Sequence, residues 1–96
     1  MLTSQAIRAK RDVILAIAKR YGASDVRIFG SVARGDATED SDLDLVVRLE
    51  QGRTLLDQGG LLMELRAELG VKVDLVTEGA LTGRFGRIVR KEAVPL

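Results

Sequence analysis

Cysteine and histidine are both absent from this sequence of 96 residues. Without cysteine the chain can form no disulfide bond and offers no thiolate to a metal ion. Without histidine it has no imidazole to serve as a metal ligand or as a general base. Acid–base chemistry and metal binding therefore depend on carboxylates.

Long apolar runs are also missing, so no segment is expected to span a bilayer. The first residues alternate between polar and apolar types, which is unlike a secretory signal. We therefore expect a cytoplasmic protein without a membrane partner. A net charge of +1 gives no overall attraction to nucleic acid, so direct nucleic-acid binding is not expected.

The composition, 46% hydrophobic and 30% charged, is that of a globular protein. A chain of this length has room for one modest core, and we predict a single domain over residues 1–96. The hydrophobic periodicity predicts these elements in order: an amphipathic helix at 4–21, a strand at 25–29, one helical turn at 31–34, a polar loop at 36–41, a strand at 42–49, a turn at 51–53, a helix at 54–69, a strand at 71–77 and a helix at 81–91. This order predicts an α/β (α+β) fold, in which helices flank a small mixed sheet.

Two of the predicted helices carry distinct stripes of side chains. The apolar stripe predicted for the helix at 54–69 consists of Leu55, Gly59, Leu62, Leu65 and Leu69, and its glycine would let the helix lie close to the sheet. The apolar side predicted for the last helix consists of Leu81, Phe85 and Ile88. The same helix has a basic face of Arg84, Arg87 and Lys91. We interpret that face as solvated surface, and contact with acidic groups of a partner is the alternative.

The stretch Gly30–Gly35, with Asp42 and Asp44 after it, has the marks of a chemical site. The strands on either side are separated by about a dozen residues, which favours antiparallel pairing and brings Gly30–Ser31 next to the two aspartates. Asp42 and Asp44 share a strand face, with Cα atoms about 6.5 to 7 Å apart. Asp74 would join them if its strand lies beside theirs. Three carboxylates are hard oxygen ligands that suit Mg²⁺.

Each of these residues also has a plainer interpretation. The acidic side chains of the 36–41 loop are best explained as solvated surface. Asp42 and Asp44 could belong to an exposed edge strand, and Asp74 could be an ordinary charge on an outer strand face. Arg34 could be a surface arginine. The motif around the aspartates favours the functional interpretation of Asp42 and Asp44, and the apolar neighbours of Asp74 favour it there.

The same residues resemble a known motif. Gly30-Ser31, ten intervening residues and Asp42-Leu43-Asp44 are similar to the nucleotidyltransferase motif of the DNA polymerase β superfamily. Gly-Ser-Val-Ala-Arg-Gly and Ser-Asp-Leu-Asp-Leu are close to its bacterial and archaeal minimal branch, and the likeness extends to Val73–Val76 and to residues 90–96. The resemblance implies a polymerase-β-like nucleotidyltransferase fold.

The resemblance also implies roles for individual residues. Asp42 and Asp44 would hold two Mg²⁺ ions, and Asp74 would bind the metal that activates the acceptor hydroxyl. Gly30, Ser31 and Arg34 would contact the phosphates of ATP or another nucleoside triphosphate. Together with the three aspartates, these residues make up the predicted site.

In the minimal branch the acceptor is typically a separate helical HEPN protein, a ribonuclease toxin, and the family member is its antitoxin, which attaches AMP to a tyrosine. The resemblance thus implies a protein adenylyltransferase that works with such a partner, as a homo-oligomer or hetero-oligomer. Two alternatives stay open. The chain could neutralise its partner by binding alone, or it could transfer a nucleotide to a small hydroxylated metabolite or antibiotic.

Overall fold

The computed structural model describes residues 2–96, and the elements of that part of the chain follow the predicted order closely. They are α1 (Ser4–Arg8), α2 (Arg11–Arg20), β1 (Ala23–Phe29), α3 (Gly30–Arg34), β2 (Leu43–Leu49), α4 (Leu55–Leu69), β3 (Val73–Thr77), α5 (Gly83–Glu92) and β4 (Val94–Pro95), with a 3-10 turn at Glu78–Ala80 before α5. None of the helices within residues 2–96 has both the length and the apolar character that crossing a bilayer requires.

The four strands form one mixed sheet in the order β3-β2-β1-β4. β1 pairs antiparallel with β2 on one side and with β4 on the other, whereas β2 and β3 run parallel. α4 provides the crossover that a parallel pair requires. The predicted fold class, a small mixed sheet flanked by helices, is confirmed.

Apolar side chains cover both faces of the sheet. On one face, β1, β2 and β3 pack against α2 and α4, and the fully buried residues there include Ile14, Ile28, Leu43, Leu45, Leu61 and Leu65. On the other face a smaller cluster, formed by Phe29, Val46, Leu81 and Val89, packs the sheet against α5. The functional motif lies at the end of the sheet where β1 stops and β2 and β3 begin.

The first predicted helix, at 4–21, is two helices in the structure. Thr3 begins α1 by accepting a hydrogen bond at Oγ1 from the Ala6 N–H at 3.0 Å. At Lys10 the backbone leaves helical geometry, and α2 starts from there. The periodicity could not reveal this break, because Ile7 and Ile14 are seven residues apart and two full turns keep them on the same side.

The stripe predicted for α4 was wrong in part. Leu61 and Leu65 are the fully buried residues, whereas Leu55 is 83% exposed. Leucines lie almost all around this helix, so spacing alone permits more than one stripe, and the tertiary contacts select among them. The prediction that Gly59 lets the helix approach the sheet was also wrong. Gly59 is exposed, and the glycine in close contact is Gly60, which faces the ring of Tyr21.

The side of α5 that faces the sheet also differs from the prediction. Phe85 and Ile88 are about half exposed, at 50% and 47%, and the helix buries Gly86 and Val89 instead. Gly86 lies against the backbone of Leu81, which is buried ahead of the helix, and a Cβ at this position would be 2.6 Å from the Leu81 carbonyl carbon. β4, which follows α5 directly, was not predicted, since a strand of two residues has no periodicity to detect.

The neighbouring glycines of α4 should respond in opposite ways to alanine. Gly59→Ala adds a side chain with no neighbour within 4 Å, so we expect the free energy of unfolding to rise by about 1 kcal/mol. In Gly60→Ala the new Cβ would stand 2.6 Å from Cε1 of Tyr21, whose hydroxyl donates to Glu64 Oε1 at 2.6 Å. Because that ring must move, we expect Gly60→Ala to lower the free energy of unfolding by about 1 kcal/mol. Urea denaturation measures the free energy of unfolding of both variants. An equal increase in the two variants would contradict the packing of Gly60 against Tyr21.

Candidate active site

The turn that follows β1 is in close contact with β2. Phe29 pairs with Asp44 across the two strands, as expected from the short connection between them. The next residue, Gly30, is buried and has a φ of +73°. A Cβ on Gly30 would collide with Oδ2 of Asp44. Only glycine both adopts this backbone conformation easily and leaves room for the carboxylate, so the position links the turn to the acidic residues.

Two of the three predicted acidic residues are direct neighbours in the sheet. Asp44 is the second residue of β2 and Asp74 the second residue of β3, and the parallel register pairs them. Adjacent strands are about 4.8 Å apart. Asp42 is exposed and immediately precedes β2, on the same side of the alternating strand pattern as Asp44. The structure thus places the strand of Asp74 beside that of Asp44, which is the condition that the sequence analysis set for Asp74 to join the site.

The electrostatics of Asp44 reflect this crowding. Burial raises the pKa of Asp44 from 3.8 to about 6, and the carboxylates of Asp74 and Asp42 add to the effect. Arg34 acts in the opposite direction. Burial and like charge both disfavour the ionised carboxylate. A cation beside these residues would offset both effects.

The phosphate-binding candidates lie in α3, which follows the turn. Ser31 is half-buried, and its carbonyl oxygen accepts hydrogen bonds from the N–H groups of Gly35 and Asp36 at 2.9 and 3.0 Å, which closes the helix. Gly35 ends it with a φ of +83°. Arg34 is exposed, and its guanidinium donates to two carboxylates, Glu92 Oε1 at 2.7 Å and Asp36 Oδ2 at 3.3 Å.

Glu92 is a residue of this site that the sequence analysis missed. Its second carboxylate oxygen, Oε2, accepts a hydrogen bond from the N–H of Gly30 at 3.2 Å. Glu92 is 58 positions after Arg34 and lies in the 90–96 stretch that shares the resemblance, which was the one signal that could have pointed to it. The resemblance gave Glu92 no role of its own, and its contacts with the site depend on the packing of α5 and on the pairing of β4.

The acidic residues match magnesium in chemistry but do not form a complete ligand cage. Within residues 2–96, no three acidic side chains lie close enough together, as placed, to enclose a metal ion. Magnesium usually binds through one or two carboxylates and completes its shell with water and substrate phosphates. The adjacent pair of Asp44 and Asp74, with Asp42 beside them, fits that mode of binding.

The pKa of Asp44 gives a stability prediction. Because the pKa is higher in the folded chain than in the unfolded chain, folding favours the protonated form, and this carboxyl lowers stability as the pH rises from about 4 to above 6. In EDTA at pH 7.5, Asp44→Asn should therefore be more stable than the wild type by about 1 kcal/mol, a value discounted for contact with water. The gain should disappear near pH 4. Thermal unfolding at both pH values tests this, with Asp40→Asn, at an exposed residue of the preceding loop, as the control. A gain that persists at pH 4 would rule out the electrostatic origin.

Comparison with known proteins gives the family. The nucleotidyltransferase domain family matches residues 10–96. The protein adenylyltransferase MntA of Thermococcus cleftensis is 40% identical over 76 residues, which are 79% of this chain and 77% of that protein. A candidate protein adenylyltransferase of Methanocaldococcus jannaschii is 36% identical over 81 residues, covering 84% of this chain and 87% of that protein.

Solved structures agree with this assignment. A structure described as a candidate minimal nucleotidyltransferase superimposes with a TM-score of 0.87 at 50% identity, over 99% of this chain and 97% of that one. A toxin–antitoxin structure with AMP-PNP has the same fold, with a TM-score of 0.75 at 20% identity, over 88% of this chain and 69% of that chain. The chain is therefore a member of the nucleotidyltransferase domain family, and it is a minimal nucleotidyltransferase enzyme.

Proposed function

We propose that this enzyme transfers AMP from ATP, with Mg²⁺, to a tyrosine hydroxyl of a helical HEPN-type ribonuclease toxin, and that it is the antitoxin of that partner. The observation that carries the proposal is the side-by-side placement of Asp44 and Asp74, with Asp42 next to them, against the Gly30 turn. The names of the relatives support the protein acceptor and the adenylyl group. The toxin–antitoxin structures of the same fold support the kind of partner.

The phosphates of ATP would bind at the turn and at α3. Gly30 lets the nucleotide approach the backbone closely, since it has no side chain. Ser31 offers a hydroxyl next to the turn, and Arg34 offers a guanidinium that matches phosphate geometry. This placement would direct the α-phosphate toward Asp42 and Asp44, because the turn and the start of β2 are neighbours.

The acidic end would hold the metal and the acceptor. Asp42 and Asp44 would bind two Mg²⁺ ions, and Asp74 would share one of them. Bound ions of this kind stabilise the attacking and leaving oxygens of an in-line displacement. This chain has no histidine or cysteine to take the proton of the acceptor hydroxyl, and Asp74 is our candidate for that role.

The reaction follows from these roles. The acceptor oxygen attacks the α-phosphorus of ATP as its proton passes to Asp74. The bond from the α-phosphorus to the bridging oxygen breaks, and pyrophosphate leaves with the bonding electrons. The products are an AMP phosphodiester of the acceptor and pyrophosphate.

Label transfer tests the proposal directly. With α-labelled ATP, Mg²⁺ and a HEPN-type toxin protein as acceptor, we expect the wild type to label the toxin and Asp42→Asn with Asp44→Asn to do so about 10³-fold more slowly, since metal stabilisation of several kcal/mol is lost. Changing the acceptor tyrosine to phenylalanine should abolish labelling. The matched control is Glu39→Gln with Asp40→Asn, which removes two exposed charges from the loop ahead of β2 and should retain activity.

Each of the other functions has its own outcome. Protection of cells by the double aspartate variant at the wild-type level would show that binding alone neutralises the partner. Labelling of a small hydroxylated compound, with none of the toxin, would establish a metabolite or antibiotic as the acceptor. Either result would overturn the proposal of protein adenylylation as the protective activity.

A further inference from the structure

Glu92 connects the two ends of α3. Its Oε2 accepts from the N–H of Gly30, the first residue of that helix, at 3.2 Å. Its Oε1 accepts from Nη1 of Arg34, the last residue, at 2.7 Å. The Glu92 side chain is only 23% exposed, so water competes little for these contacts. One carboxylate therefore holds both the turn and the arginine that we assign to the phosphates.

The backbone of Glu92 is itself held firmly. It is the last residue of α5, where Ala93 N–H donates to the carbonyl oxygen of Val89 at 2.8 Å. Two residues later Val94 pairs with Ile28 in β1, the same strand that leads into Gly30. The position of the carboxylate is therefore tied to the sheet beside the site and does not depend on a flexible loop.

The effect on Arg34 is to fix the direction of its guanidinium. Nε donates to Asp36 and Nη1 to Glu92, and within residues 2–96 Nη2 has no hydrogen-bond partner. The Arg34 side chain is 48% exposed, so without these carboxylates it would be free to adopt many rotamers. Ordering such a side chain on binding costs conformational entropy. Because Asp36 and Glu92 already hold the guanidinium, Nη2 and its two N–H groups remain available for a phosphate oxygen.

We propose that Glu92 is a positioning residue for nucleotide binding, which fixes the Gly30 turn and holds Arg34 so that its free Nη2 faces the phosphates. The inference rests on the proposed function, since it assigns the ligand of Arg34 as a nucleoside triphosphate. Glu92 also brings a negative charge near the site, and that charge by itself would weaken the binding of an anion. If positioning dominates, removal of the Glu92 side chain weakens nucleotide binding, and if charge repulsion dominates, removal strengthens it. The measured affinity for the nucleotide therefore decides between the two effects.

The test is the affinity of the purified full chain for AMP-PNP in the presence of Mg²⁺, measured by titration calorimetry. Glu92→Ala should raise Kd about tenfold, the equivalent of 1.4 kcal/mol. Glu92→Gln keeps one acceptor oxygen and should raise Kd only about threefold. In an Arg34→Ala background, Glu92→Ala should raise Kd by about twofold at most, because only the contact with Gly30 is then left for Glu92 to act through.

A matched control separates positioning from general stability. Glu78 is also an acidic residue with a side chain only 22% exposed, and it pairs with Arg27 and Arg90 beyond the opposite end of β3. Glu78→Gln should lower the melting temperature to a similar extent as Glu92→Gln without changing Kd. Amide hydrogen exchange at Gly30 gives a readout that needs no nucleotide, and it should be faster in Glu92→Ala than in the wild type.

Each outcome has a definite meaning. Three results would overturn the role of Glu92 and leave the proposed function intact. They are an affinity of Glu92→Ala for AMP-PNP that is unchanged or higher, effects of Glu92→Ala and Arg34→Ala on Kd that are fully additive, and amide hydrogen exchange at Gly30 that does not change. A wild-type chain that binds no AMP-PNP, although the exchange at Gly30 responds to Glu92→Ala, would overturn the proposed function, and the assignment of a nucleotide to Arg34 with it.

Discussion

The antiparallel register that sets Phe29 opposite Asp44 is the constraint on which the site depends. It determines where the chain turns at Gly30, and this turn has room only because the residue has no side chain. The parallel register of β2 and β3 then adds Asp74 beside Asp44. A slip of one residue in either pairing would move the carboxylates to the opposite face of the sheet, where the apolar core is packed.

The clustering of Asp44 with neighbouring carboxylates lowers the stability of the fold. Asp44 lies half-buried with other carboxylates nearby, and its raised pKa shows that the ionised form is disfavoured. A protein selected only for stability would place an apolar or hydrogen-bonded residue there. Such conflicts concentrate at sites that bind or react. The function that we propose gives the conflict a reason, since closely spaced carboxylates would hold the metal ions of that reaction.

The sequence predicted what depends on local pattern and missed what depends on packing. β2 and β3 alternate clearly and β1 is rich in Val, Ile and Phe, so the bounds of these three strands were predicted within two residues. The same alternation placed Asp42 and Asp44 on one face. The resemblance to the nucleotidyltransferase superfamily was confirmed by comparison, as was the fold. In α4 leucines occur on several sides, so Leu61 could not be identified as core in preference to Leu55. Glu92 was missed because its contacts with Gly30 and Arg34 follow from the pairing of β4, which has no pattern of its own.

The pairing of Ile28 with Val94 has a consequence for the time course of folding. Contacts between residues so far apart in sequence form late, since the entropy of closing a long loop must be overcome before they contribute. β1, β2 and their turn can associate early, from neighbouring stretches of chain. The carboxylate of Glu92 reaches Gly30 only after α5 and β4 have docked. We therefore expect a newly synthesised chain to contain its acidic residues in order before Glu92 holds the turn at Gly30.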